Sequence, residues 1–215
     1  MEEIAMKKNV ILSLFIVFFG LSFSAQANLI VNGDFEASTS PTLTPPGWTN
    51  IGHSDGVIPY SQFNTPAFDG LYFYDLGGFG NAAGPVGDGI MQTVATTPGT
   101  AYTLTFGLSS EDVSGDSTLR VSIGGIFVDY NLISNGTFLG KGFTSEAINY
   151  LATGTSTAIS FIETVNTSGG NNDPMIDRAI FNVASAAVPE PATMLLLGVG
   201  LIGLVGFSRR KFKNN

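Results

Sequence analysis

The chain is expected to fold as an all-β protein, a two-sheet antiparallel jelly-roll sandwich flanked by an N-terminal signal helix and a C-terminal single hydrophobic helix. Three observations predict it. Ala101 to Leu108 alternate strictly, with Tyr102, Leu104, Phe106 and Leu108 on one face and Thr103 and Thr105 on the other. Residues 28–188 carry 22 glycines, 8 prolines and long Ser/Thr/Asn stretches, and no sustained 3.6-residue apolar period. Turn signals recur between short apolar runs, Thr97-Pro98-Gly99-Thr100 and Gly124-Gly125 among them.

In chain order, strands are expected at Leu29 to Glu36, Trp48 to Ile51, Leu71 to Leu76, Ile90 to Thr96 and Ala101 to Leu108. Five more are expected at Thr118 to Ile123, Ile126 to Leu132, Phe143 to Leu151, Ala158 to Thr164 and Met175 to Val183. Gly124-Gly125 joins Thr118–Ile123 to Ile126–Leu132 as a tight hairpin, because only glycine takes the left-handed angles of a two-residue turn without cost. About ten short strands in one domain point to two packed sheets.

The two ends read differently from this middle. Lys7 and Lys8 precede an apolar run from Val10 to Phe23 that closes on Ala25-Gln26-Ala27, small residues at the −3 and −1 positions of a signal-peptidase site. Residues 1–27 are expected to be a signal peptide cleaved after Ala27, with initiation at Met1 or at Met6, since Glu2 and Glu3 spoil a basic start. At the other end, Pro189-Glu190-Pro191 precedes an apolar stretch and then Arg209-Arg210-Lys211 and Lys213. Ala192 to Phe207 would be about 24 Å long as a helix, against a hydrocarbon core of about 30 Å. Such a span holds a chain in a membrane temporarily, with the basic end in the cytoplasm and residues 28–188 facing outward.

The order of short motif, hydrophobic span and basic terminus resembles the PEP-CTERM sorting signal, carried here by Pro189, Glu190 and Pro191. The resemblance implies a Gram-negative host, processing by the membrane protease-transpeptidase exosortase, and association with exopolysaccharide. It also implies transient inner-membrane anchoring, followed by residence at the cell surface, the outer membrane or the extracellular matrix. A permanent single-span anchor with the same basic end is the alternative.

Charge and composition exclude several classes. Within 28–188, Arg120, Lys141 and Arg178 stand against fourteen acidic residues, in a chain of net charge −8, which disfavours nucleic acid as a partner. The absence of cysteine removes a disulfide framework, a catalytic thiol and any thiolate metal site. His53 is the sole histidine and lies in a Gly/Ser/Asp loop without a nucleophile elbow or a second imidazole nearby in sequence. Paired carboxylates would suffice for a glycosidase, but no pair among fourteen acids can be singled out from sequence.

A series of short segments resembles the galactose-binding-like jelly roll found in many secreted carbohydrate-binding modules. It runs from Asn28-Leu29-Ile30-Val31-Asn32-Gly33-Asp34-Phe35-Glu36 through Gly47-Trp48, Phe68-Asp69-Gly70-Leu71-Tyr72 and Gly89-Ile90-Met91-Gln92-Thr93-Val94 to Pro174-Met175-Ile176-Asp177-Arg178-Ala179. The resemblance implies a structural Ca2+ shared by the first and last strands, whose matching positions are Glu36 and Asp177; the alternative is that both carboxylates bond neighbouring backbone. A sugar ring needs an exposed aromatic face with polar neighbours, and Tyr60, Phe63, Tyr72, Tyr74 and Phe79 are the candidates, with Asn64, Asp75 and Asn81 near them. Trp48 is expected to be a core anchor. The acidic run Glu111 to Ser117 fails the EF-hand template, with Ser117 where the glycine is needed and Ile123 where the glutamate is needed, and reads as a solvated loop. Together these readings predict an exported, sorted, non-catalytic module that binds glycan or serves as a structural element. The rivals are a polysaccharide hydrolase or lyase, and a structural surface protein without ligand.

Overall fold

The structure, a computed structural model, describes residues 27–38, 42, 44–53, 56–59, 66–77, 87–111, 115–133, 142–167 and 172–184. The chain divides into two units, Met1–Val183 and Ala184–Asn215, and all described strands belong to the first. The described residues form ten strands: β1 (Thr49–Ile51), β2 (Gly56–Pro59), β3 (Tyr72–Asp75), β4 (Gly89–Ala95), β5 (Ala101–Ser110), β6 (Asp116–Ile123), β7 (Ile126–Ile133), β8 (Thr144–Leu151), β9 (Ser156–Asn166) and β10 (Pro174–Val183). They make two antiparallel five-stranded sheets, ordered β1-β4-β9-β6-β7 and β2-β3-β10-β5-β8. The all-β sandwich expected from the alternation is the fold observed.

The core is the inner faces of both sheets. Leu104 and Phe106 from β5 meet Leu119 and Val121 from β6, Ile159 and Phe161 from β9, and Phe181 from β10, all buried. Phe106 and Phe161 join the sheets edge-to-face at 5.2 Å between ring centres, and Tyr102 stacks on Phe181 at 5.0 Å. A smaller cluster of Ile58, Phe73 and Met175 covers the outer face of the β3–β10 sheet, capped by Phe143.

Leu29 to Glu36 is not a strand. It is a run of turns in which Asn32 and Phe35 take φ of 51° and 59°. Asn32-Gly33, a strong turn signal, outweighs the apolar run around it. This segment still closes one edge of the sandwich. Asn28 Nδ2 donates to Ala179 O at 2.9 Å, Phe181 N donates to Asn28 Oδ1 at 2.9 Å, and Ala179 N donates to Gly33 O at 2.8 Å. Towards the other sheet, Val31 N donates to Gln92 Oε1 at 2.8 Å and Gln92 Nε2 returns a bond to Val31 O at 3.1 Å. Phe35 is fully buried between Trp48 and Tyr74. The short strand β2 was not expected from sequence, since Gly56-Val57-Ile58-Pro59 lacks alternation and ends in proline.

Candidate functional site

Glu36 and Asp177 are brought to one loop from its two ends. Leu71 N and Tyr72 N donate to Glu36 Oε1 at 2.6 and 2.8 Å. Asp69 N donates to Asp177 Oδ2 at 2.9 Å, and Arg178 N donates to Asp177 Oδ1 at 2.6 Å. Gly70, at φ 67°, lies so close that a Cβ there would meet Glu36 Oε1 at 2.3 Å. The Phe68-Asp69-Gly70-Leu71-Tyr72 motif is thus a loop pinned by two carboxylates. Asp177 is buried, and burial is the first cause that lifts its carboxyl to about 7, against the opposing pull of the Asp69, Arg178 and Phe68 backbone N–H groups; the nearby Asp69 charge adds a smaller upward push. The strand kinks there, with Arg178 at φ 50° and a register shift between Asp177 and Ile180.

Of the five aromatic residues expected to meet sugar, Tyr60, Phe63 and Phe79 lie outside the described residues. Tyr74 is a correction: it is fully buried, its ring lies 5.5 Å from Phe35, and its hydroxyl donates to Asn50 Oδ1 at 2.9 Å. It presents no face to solvent because its side of β3 packs on the core. Tyr72 is half-buried and packs against the same core. Trp48 is the core anchor expected, 5% exposed, with Nε1 donating to Asn32 O at 3.0 Å. Ala25 and the sorting-motif residues Pro189, Glu190 and Pro191 lie outside the described residues, and Ala27 is exposed.

The exposed aromatic that sequence reasoning missed is Phe127, 58% accessible at the β7 edge of the β1-β4-β9-β6-β7 sheet. Strand register builds a row across the outer face of that sheet, Met91–Ser160–Ser122–Phe127. Beside it Arg120 pairs with Asp129. Arg120 Nε and Nη2 donate to Asp129 Oδ1 and Oδ2, each at 2.7 Å, and the guanidinium lies 4.2 Å over the Phe127 ring. That hydrogen-bonded pair holds the Asp129 carboxyl below the usual carboxylate range. Further along, Thr118 Oγ1 donates to Asn131 Oδ1 at 3.1 Å. The alternation of Phe127, Asp129 and Asn131 after the Gly124-Gly125 turn was the available signal.

Glu111 is the second correction. Expected in a solvated loop, it is 5% exposed at the end of β5, where Glu111 N donates to Asp173 O at 3.3 Å. At the same end of the sandwich Asp88, Glu163 and Asp173 are also buried. His53 is exposed, as expected, and its backbone N donates to Asp88 Oδ1 at 2.9 Å.

With this geometry in place, comparison with known proteins gives the following. Residues 187–211 match the PEP-CTERM protein-sorting motif, and residues 80–182 match a protein family of unknown function, DUF642. No curated protein matches the chain. Among solved structures, the chain is similar to a Family 16 Carbohydrate Binding Module-2, at 20% identity over 72% of this chain and 99% of that one, with a TM-score of 0.43. It is similar to TmCBM61 in complex with beta-1,4-galactotriose, at 18% identity over 73% and 99% of the two chains, TM-score 0.44. A third is the enzymatically active domain of the bacteriophage CBA120 tailspike protein 4, at 16% identity over 73% of this chain and 21% of that one, TM-score 0.44. These likenesses are too remote to carry an argument about ligand or activity.

Proposed function

We infer that this chain, which carries a PEP-CTERM sorting motif, is an exported, exosortase-processed, non-catalytic glycan-binding module that resides with exopolysaccharide at the cell surface. The observation that carries the glycan reading is the outer face of the β1-β4-β9-β6-β7 sheet. There a well-exposed aromatic ring stands in line with serine hydroxyls and next to Arg120, Asp129 and Asn131. A pyranose offers an apolar C–H face to such a ring and hydroxyls to the polar side chains around it. Phe127 keeps its exposure although Arg120 lies over one face of its ring, and Arg120 is itself fixed by two bonds to Asp129, so little ordering is needed on binding.

Affinity electrophoresis through gels containing the host's own exopolysaccharide tests this reading. The wild-type chain is expected to be retarded, with no shortening of the polymer. Release of new reducing ends that a single carboxylate substitution abolishes would instead establish the hydrolase or lyase.

The Ca2+ implied at Glu36 and Asp177 belongs to the same proposal as a structural ion. Asp177 is a buried carboxylate whose two oxygens meet only backbone N–H groups among the described residues, so a cation would favour its charged form. Glu36 and Asp177 would hold the ion, and it would reinforce the join between the N-terminal segment, the 68–72 loop and β10.

A further inference from the structure

We infer that the buried carboxylates between the two sheets at the β4–β9 end, Asp88 and Glu163 with Asp173 and Glu111 around them, form a second cation site, one that takes a hard divalent ion such as calcium. Asp88 and Glu163 lie opposite each other on the inner face of their sheet, two positions beyond Ile90 and Phe161 and past the Gly89–Ile162 pair. Glu163 N donates to Asp88 O at 2.9 Å, while Gly87 N donates to Glu163 O at 2.7 Å, so two residues of one strand oppose one of the other. Directly opposed like charges destabilise a sheet even at its surface. Here both are buried, Asp88 at 3% exposure and Glu163 at 0%.

Each of the two has one oxygen held and one without a partner. Asp88 Oδ1 accepts from His53 N, and Asp88 Oδ2 has none. Glu163 Oε1 accepts from Asn166 Nδ2 at 3.2 Å, and Glu163 Oε2 has none. The same Asn166 Nδ2 donates to Asp173 Oδ1 at 3.0 Å, which places a third carboxylate against the pair. Two glycines give these groups their room: a Cβ on Gly52 would meet Asp88 Oδ1 at 1.8 Å, and one on Gly77 would meet Asp173 Oδ2 at 1.9 Å. The described basic side chains are engaged elsewhere, Arg120 with Asp129 and Arg178 with Asp69. Orphaned carboxylate oxygens in a dry interior cost several kcal/mol in general, and a positive ion removes that cost.

Oxygen donors without cysteine, and with the only histidine exposed, select a hard ion over zinc or copper. Among the described residues no three acidic side chains form a ready cage. The ion therefore rests on the two orphaned oxygens, Asp88 Oδ2 and Glu163 Oε2, and fills its six to eight positions with carbonyl and water oxygens, as calcium does and magnesium seldom does. This site is distinct from Glu36 and Asp177. Asp177 sits beneath the 68–72 loop, whereas Glu163 continues the inward-facing row of Ile159 and Phe161 between the sheets.

The test uses the full chain in mild detergent, stripped with EDTA and titrated with calcium chloride, reading bound ion by equilibrium dialysis and melting by circular dichroism. Asp88→Asn and Glu163→Gln keep shape and remove one charge each. Each is expected to lower the number of ions bound by one, or to weaken that ion at least tenfold, while melting in EDTA no lower than wild type. Glu36→Gln and Asp177→Asn are expected to leave this ion in place. Unchanged calcium stoichiometry and affinity in both Asp88→Asn and Glu163→Gln would overturn the site. So would a folded wild type that binds no calcium and melts identically in calcium and EDTA, which would leave protons as the neutralising partner. Should neither variant fold, the titration of Glu36→Gln and Asp177→Asn decides: calcium still bound by both supports the site, and no calcium bound by either, with both folded, overturns it.

Discussion

Phe35 shows how a single residue can override its local preference. A bulky aromatic at φ 59° costs on the order of 1 to 3 kcal/mol, and it persists because full burial between Trp48 and Tyr74 returns more. Two residues earlier, a Cβ on Gly33 would stand 2.0 Å from Ala179 O, a backbone atom that cannot turn aside. Gly33→Ala is therefore expected to lower stability by about 2 to 4 kcal/mol, measured by urea unfolding, with the loss arising at the junction of the N-terminal segment and β10. Glu163 supplies the pH prediction. Its carboxyl is raised to about 8, first by burial, then by the charge of Asp173, with Asp88 and Glu111 adding and the Asn166 amide opposing. The folded state then holds a proton that the unfolded chain, near 4.5, releases. The stability from this group is full below about 4.5 and is lost as pH rises towards 8. In EDTA the melting temperature should fall across that window, and Glu163→Gln should flatten the fall. A profile identical in Glu163→Gln and wild type would show that Glu163 is not the titrating group.

At the scale of elements, sequence legibility follows how local the cause is. β5 was readable because its alternation records one buried and one less buried face, and β6 and β7 because a Gly-Gly turn fixes their pairing. Leu29 to Glu36 was misread because an apolar run was given more weight than the Asn-Gly turn inside it. Glu111 was misread because acids are solvated by default; only the meeting of β4, β5, β9 and β10 ends, far apart in sequence, buries it. Phe127 was overlooked for the opposite reason, since its exposure depends on β7 being an edge strand. The N-terminal segment makes an element-level prediction of its own. Gln92→Ala removes both bonds to Val31 and leaves two backbone groups without partners, so it should cost about 1 to 3 kcal/mol and speed proteolysis near residues 28–38. Equal protease resistance in wild type and Gln92→Ala would show that this segment is held by β10 alone.

For the whole molecule, the proposed function assigns delivery to the sorting motif at 187–211 and recognition to the sandwich. In an exosortase-positive host the mature protein is expected to lack the residues beyond the Pro189 region. Pro189→Ala with Pro191→Ala should remain membrane-bound, read by mass spectrometry of the C-terminal peptide. A native-host protein still ending at Asn215 would contradict processing and restore a permanent anchor.

The central claim is recognition of glycan by the outer face of one sheet, and the most direct measurement is calorimetric titration of the host's exopolysaccharide fragments into wild type and Phe127→Ala side by side. Phe127 is exposed, so its removal should leave the melting temperature within about 1 °C while weakening glycan binding tenfold or more, about 1.4 kcal/mol. Equal affinity of the two proteins for the polysaccharide would place recognition elsewhere on the molecule, and heat-silent titrations of folded wild type would contradict glycan binding altogether.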